Sequence, residues 1–284
     1  MKHPLAMALA IALTTSVAAC AQSDAKPQAE TAVTADASNP FFTESQLPLH
    51  YPRFDQIKDS HFGPAFDRGM AEHLKEVEAI ANNPEPATFE NTILPLEESG
   101  DILSRTASVF FSLVGADTND ARKALQAEYA PKLSAHSDAV SLNPKLFERI
   151  EALYEKRNEL GLDAQGVRLV ERYHTDFVRA GAKLSDADKT RLKEINGELA
   201  KLGTQFSQNV LAEVNASAVV VDTRAELAGL PEADITAAAE AAKARGLDGK
   251  FVIALQNTTG QPPNTYLENR ARRERIHKAS VARG

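Results

Sequence analysis

Tryptophan is absent from the 284 residues, aromatic residues make up only 6%, and there is a single cysteine. The first two shortages leave the core to Leu, Ile, Val and Ala, and the third excludes a disulfide within the chain. Basic charge is short as well. Lys+Arg 32 against Asp+Glu 39 gives a formal net charge of -7. An acidic chain like this is a poor candidate for gripping nucleic acid, which needs a concentrated basic face. What is present, 43% hydrophobic and 25% charged residues, suits a soluble globular chain able to bury a core. The length allows one large domain or two small ones.

Catalytic signatures are missing too. The chain contains no G-x-S-x-G elbow, no Gly-rich phosphate loop and no H-E-x-x-H. Its seven histidines are His3, His50, His61, His73, His136, His174 and His277. No two lie three to five residues apart, so no single helix presents two imidazoles to a metal on one face. His73 and Glu76, at i and i+3, come nearest, and such a pair reads as a solvated surface pair. Acidic clusters such as "LEES" and "DADK" read as helix caps and solubilising charge. No catalytic, cofactor-binding or metal-binding residue is expected in this chain.

The first residues read as an export signal. "MKH" gives a short positive region, and "PLAMALAIALTTSVAA" is apolar but too short for a comfortable membrane span. It ends at "VAAC", where the lone Cys20 follows two small residues. This resembles a bacterial lipobox, with Cys20 as the lipid attachment site after cleavage. The alternative is ordinary cleavage after Ala21, giving a soluble periplasmic protein. Ala21 in the position after the cysteine resembles outer-membrane sorting, so residues 1–20 are expected to be a lipoprotein signal peptide. Residues 21–38, "AQSDAKPQAETAVTADAS", lack the apolar side chains to pack. They are expected to form a flexible tether, with an r.m.s. span of roughly 25 Å.

Folded sequence begins at "NPFF" and is mainly helical. "LPLHYPRFD" reads as extended. Within "DSHFGPAFDRGMAEHLKEVEAIA", Phe62, Phe66, Met70, Leu74, Val77 and Ile80 recur at steps of four and three, one apolar stripe that "NNPEP" ends. The next helical stretch starts after a Thr88 cap and carries Pro95 and Gly100, which predict a kink. Another helix holds Pro131. Asn143 caps a helix with Pro144 at its first position and Gly161 beyond its end. A further helix carries Val170, Tyr173 and Phe177 on one side. After the Ser185 cap, Leu192, Ile195, Leu199, Leu202 and Phe206 form a heptad seam. The spacing predicts a buried seam paired antiparallel with the preceding helix.

After Asn215 the texture changes. "SAVVVDT" and "KFVIALQ" read as strands flanking the Ala-rich helix of "PEADITAAAEAAKARG", a small α/β insert near residues 217–256. The last helix crowds Arg270, Arg272, Arg273, Arg275 and Lys278, expected to pair with carboxylates of a neighbouring segment.

Several stretches carry a resemblance: "NPFF", "FGPAFDRGMAEHLKEVEAIANNPEPATFENTILPLEESG", "TNDARKALQAEYAPKLSAH", "NPKLFERIEALYEKR", "ERYHTDFVRAGAKLSDADKTRLKEIN", and "LQNTTGQP" before "LENRARRERIHKASVARG". They resemble the N-terminal part of the zinc metallopeptidase family that includes peptidyl-dipeptidase, oligopeptidase A and thimet oligopeptidase, with bacterial peptidyl-dipeptidase as the nearest type. The resemblance covers residues 39–284. It implies a mainly α fold, the helical half-shell of an oligopeptidase with antiparallel helix pairs, and one wall of a channel that admits short peptides. In the family, an H-E-x-x-H helix and a further Glu hold zinc in the later half. Since that motif is absent here, no family catalytic or metal residue can be placed on this chain. The ending "RRERIHKASVARG" reads as a helix in mid-course, and the resemblance implies that the zinc-binding half lies beyond it.

Three expectations follow from the resemblance together with the export signal. Residues 39–284 are the N-terminal helical domain of a periplasmic zinc peptidase that releases dipeptides from the C-termini of oligopeptides. The chain alone is inactive and holds no zinc. Its partners are short peptides in the full-length enzyme, a C-terminal catalytic half, and the outer membrane through a lipid anchor. The alternative is a non-catalytic helical lipoprotein that binds peptides or a protein partner.

Overall fold

The computed structural model describes residues 39–256 and 261–282. The expected signal peptide, Cys20 and the tether lie outside them. Before the first long helix, Pro48–His50 form a short 3-10 turn in which Leu49 and His50 take left-handed backbone angles (φ 57° and 54°). The expected extended segment is therefore interrupted by a turn.

Helix α1 (Asp59–Ala81) matches its apolar stripe. Phe62, Phe66, Val77 and Ile80 are buried, and Met70 and Leu74 are half-buried. The kink expected around Pro95 and Gly100 becomes a full break. A π-turn (Phe89–Ile93), capped by the Thr88 side chain, runs into the short α2 (Leu94–Glu97). Gly100, left-handed at φ 77°, then starts α3 (Asp101–Ala116). Only glycine takes that angle cheaply, and a Cβ there would also press on the His73 ring, 3.1 Å away.

Helix α4 (Asp120–Ser141) carries Pro131 without interruption. Helix α5 (Pro144–Lys156) has the expected cap, Asn143 accepting from Leu146 N at 3.1 Å. It ends at Lys156, several residues before Gly161. Helix α6 (Ala164–Arg179) packs back on α5, and α7 (Asp186–Ala216) begins at the Ser185 cap. Strands β1 (Val219–Val221) and β2 (Phe251–Ile253) pair antiparallel, Val219 opposite Ile253. Between them lies α8 (Glu232–Lys243). Helices α9 (Gln261–Tyr266) and α10 (Arg270–Val281) follow.

Among the described residues, three apolar cores hold these elements. The first is ring-rich: Phe62 and Phe66 of α1 meet Phe110 of α3 edge-on at 5.0 and 5.3 Å, and Phe66 stacks on Tyr129 of α4 at 5.1 Å. Such pairs add about 0.5–1.5 kcal/mol each beyond their buried area. The second core joins Val77 and Ile80 to Ile93, Leu146, Ile150, Leu153, Val170 and Phe177. The third closes the insert with Val219, Val221, Leu227, Ile253 and Ile276 of α10. Gly69 allows α1 and α3 to touch, since a Cβ there would stand 2.7 Å from Leu103 N.

The seam of α7 does not pack as its spacing predicts. Helix α7 lies along α4, not α6, and contributes no buried residue. Its contact face is polar: Asn196 donates to Asp138 Oδ1 at 2.7 Å and Gln208 to the Lys123 carbonyl at 3.0 Å. A buried carboxylate on α4 attracts an amide more strongly than another leucine would. Ile195, Leu199, Leu202 and Phe206 are exposed. The mainly α fold with a small α/β insert is present as expected, whereas the partner of α7 is not the one expected.

Candidate functional site

Histidine spacing along the chain hides a place where two imidazoles meet. His73 sits mid-way along α1 and His136 near the end of α4. Their Nδ1 and Nε2 atoms lie 2.9 Å apart, with ring centroids at 5.0 Å. One proton fits between them, so in the neutral pair one ring donates and the other accepts. His136 is buried, His73 half-buried, and His136 Nδ1 has no hydrogen-bond partner. Burial pushes both rings below the ordinary imidazole range. For His73 the nearby Glu76 opposes this, and for His136 a charge on His73 would add to it.

The reading of His73 and Glu76 as a solvated surface pair is therefore corrected. His73 turns inward to α4, while Glu76 accepts from Gly100 N at 2.8 Å and holds the start of α3. Glu72, His73, Glu76, Gly100 and Asp101 share a small cleft with Gly69 and Ile102. Sequence separation explains why the histidine contact was missed. The residues are 63 apart, and no local periodicity reports on that distance.

Other polar groups have structural work. Arg149 of α5 is buried and spends its guanidinium on the α1–α2 connection: Nη1 donates to the Asn83 and Glu85 carbonyls at 2.9 Å, Nη2 to Asn91 Oδ1 at 2.7 Å and Nε to Thr92 Oγ1 at 3.2 Å. In α10, Arg272 pairs with Glu226 of the insert and Arg273 with the carbonyls of Leu267 and Glu268. Arg272 thus meets the expected carboxylate of a neighbouring segment, whereas Arg273 binds backbone carbonyls and Lys278 pairs with Glu274 of its own helix. Tyr173 donates to Glu97 Oε1 at 2.6 Å, and burial followed by this bond raises its phenol above the ordinary range.

No family model matches the chain. Among curated proteins, dipeptidyl carboxypeptidase of Escherichia coli is 46% identical over 245 residues, 86% of this chain and 36% of its own length. The Salmonella typhimurium dipeptidyl carboxypeptidase is 45% identical, and oligopeptidase A of Haemophilus influenzae 33%, each over 87% of this chain. Over most of its own length the chain is similar to these proteins. It spans little more than a third of the length of the relatives it matches.

The zinc site implied by the family does not fit these residues. A structural or catalytic zinc centre takes three or four protein ligands. Among the described residues no group of three His, Cys, Asp or Glu could hold a metal ion. His73 and His136 spend their facing nitrogens on one another, and Glu76 is committed to Gly100. No catalytic step is assigned to a side chain of this segment. Nor is any helix among the described residues long and apolar enough to cross a membrane.

Proposed function

We propose that this chain is the N-terminal share of an exported, peptidyl-dipeptidase-like zinc peptidase. It would wall one side of a channel for short peptides and be inactive without the residues that hold zinc. The observation that carries the reading is the 46% identity to a dipeptidyl carboxypeptidase across 86% of the chain, joined to the absence of H-E-x-x-H. In this reading the segment limits substrate size, while zinc activates the hydrolytic water from ligands elsewhere in the enzyme. Dipeptides would leave from the C-terminal ends of oligopeptides.

The site of action in this reading is the periplasm, with Cys20 lipidated and the body tethered at the outer membrane by residues 21–38. The "VAAC" sequence supports it. Incorporation of labelled palmitate that disappears in Cys20→Ala is the expected result. Labelling that persists, or a cytoplasmic chain with an intact first residue, would overturn it.

Hydrolysis tests the enzymatic half of the proposal. The purified chain, supplied with zinc and a blocked tri- or tetrapeptide, is expected to release no dipeptide. Turnover abolished by a chelator would refute the assignment.

A further inference from the structure

Helices α1 and α4 touch in a regular ladder. Asp59 meets Arg122, Phe66 meets Tyr129 and His73 meets His136, each pair 63 residues apart, so the helices run parallel with one such contact every seven residues. The first rung is an ion pair, Arg122 Nε to Asp59 Oδ1 at 2.8 Å. The second is the ring stack at 5.1 Å, and the third is the imidazole pair at 2.9 Å. We propose that this third rung is a proton-operated latch: a proton taken up on each ring frees the last turns of α4 from α1, while the other two rungs stay closed.

The far end of α4 has little else to hold it. Its buried side chains are Tyr129, His136 and Asp138, so beyond the ring stack both buried contacts of the helix are polar. His136 reaches α1, and Asp138 accepts from Asn196 of α7 at 2.7 Å. Leu133 and Val140 are only half-buried. Leu142, just past the helix, is buried and marks where the opening stops. A helix end stripped of tertiary contacts frays, because short isolated turns do not sustain themselves in water. The other rungs do not respond to mild acid. Stacked rings have no charge to change, and a carboxylate paired with arginine stays ionised at about pH 5.

The closed pair excludes protons for a geometric reason. His136 Nδ1 is buried without a partner, so the neutral pair is best arranged with the His136 proton on Nε2, donated to His73 Nδ1. A first extra proton leaves an N–H on His136 Nδ1 with nothing to accept it, whichever ring carries the charge. A second sets two N–H groups against one another across 2.9 Å. Released rings face neither penalty, so opening takes up two protons and is driven by both. The charges around the pair are otherwise engaged. Glu72 pairs with Arg68, Asp101 of α3 with Arg105, and Lys132 of α4 with Glu128, while Glu76 accepts from Gly100 N. Glu76 favours a charge on His73, whereas the charge that acts on His136 is that of His73 itself.

Hydrogen exchange of the purified chain, corrected for the intrinsic rate and followed amide by amide, tests the latch. Opening at residues 136–141 should grow about thirtyfold between pH 6.5 and pH 5.5, the uptake of two ordinary imidazoles, against about fivefold for one. His73→Gln should bring the growth down to the one-ring value, and His73→Gln/His136→Gln should abolish it. Amides around Phe66, Ile150 and Val252 should keep their protection. Growth of one-ring size in the parent, or none, overturns the proposal. So does a loss shared equally by all of these amides, which is global unfolding and not a local opening. If the double variant lacks the parent's helical circular dichroism, the single variant decides, and an unchanged thirtyfold growth in it counts against the latch.

Discussion

His73 Nδ1 of α1 stands 2.9 Å from His136 Nε2 of α4, so two helices that share an aromatic core are also bridged by a single proton. Both imidazoles are held below their ordinary pKa, chiefly by burial. In the unfolded chain they protonate near pH 6.5, whereas in the fold they remain neutral to lower pH. Between those values the unfolded chain binds more protons, so stability present above about pH 6.5 drains away as pH falls. His174, stacked on Tyr154 and lowered by burial and then by Lys183, adds in the same direction. Urea unfolding from pH 8 to pH 5 should show this loss, and His136→Gln should shrink it. A midpoint that is flat across that range would contradict the account.

Arg149 supports a second prediction. Its guanidinium satisfies two carbonyls, an amide oxygen and a hydroxyl in the α1–α2 connection. Arg149→Met leaves those acceptors without a donor and should cost about 2–3 kcal/mol. Arg149→Lys should recover little of this, since an ammonium cannot reproduce the planar fork. Chemical denaturation of the three proteins gives the order. Equal stability of the Lys variant and the parent would show that point charge alone suffices.

Gly69→Ala is predicted to be costly although the change is one methyl group. The new Cβ would fall 2.7 Å from Leu103 N and 2.9 Å from its Cα, both backbone atoms. Helices α1 and α3 would have to separate, at about 1–3 kcal/mol. Gly203→Ala, where a Cβ meets nothing within 4 Å, should instead be neutral or stabilising through helix propensity. Thermal melts of the pair distinguish close approach from a general intolerance of change.

Helix starts were legible in the sequence because caps are local, whereas the end of α5 at Lys156 was not. Asn143 and Ser185 are caps, Gly100 is a break, and the stripe through Phe62 and Ile80 is a core face. The small insert was legible through its Val-rich strands. What could not be read was which face meets which. The 3-4 seam of α7 reports that a helix has an apolar side, but the side that packs is chosen by Asp138 and the Lys123 carbonyl on α4. His73 and His136 were missed for the same reason. Their meeting depends on how α1 and α4 cross, which no window of ten or twenty residues contains.

Exposure of that seam makes a further prediction about stability. Leu199→Ser and Phe206→Ser should change unfolding free energy by no more than about 0.5 kcal/mol. Ile150→Ala, in the buried second core, should cost about 2–5 kcal/mol. If the α7 changes proved as costly as the core change, the helix would be packed on its leucine face after all.

Zinc content of the purified 284-residue chain tests the central claim most directly. After equilibration with excess zinc and removal of the free metal, plasma mass spectrometry should find well under one ion per chain. One tightly held Zn²⁺ per polypeptide, retained against a weak chelator, would mean that the ligands of a metal centre are here, and the assignment of this segment as the non-catalytic share would fall.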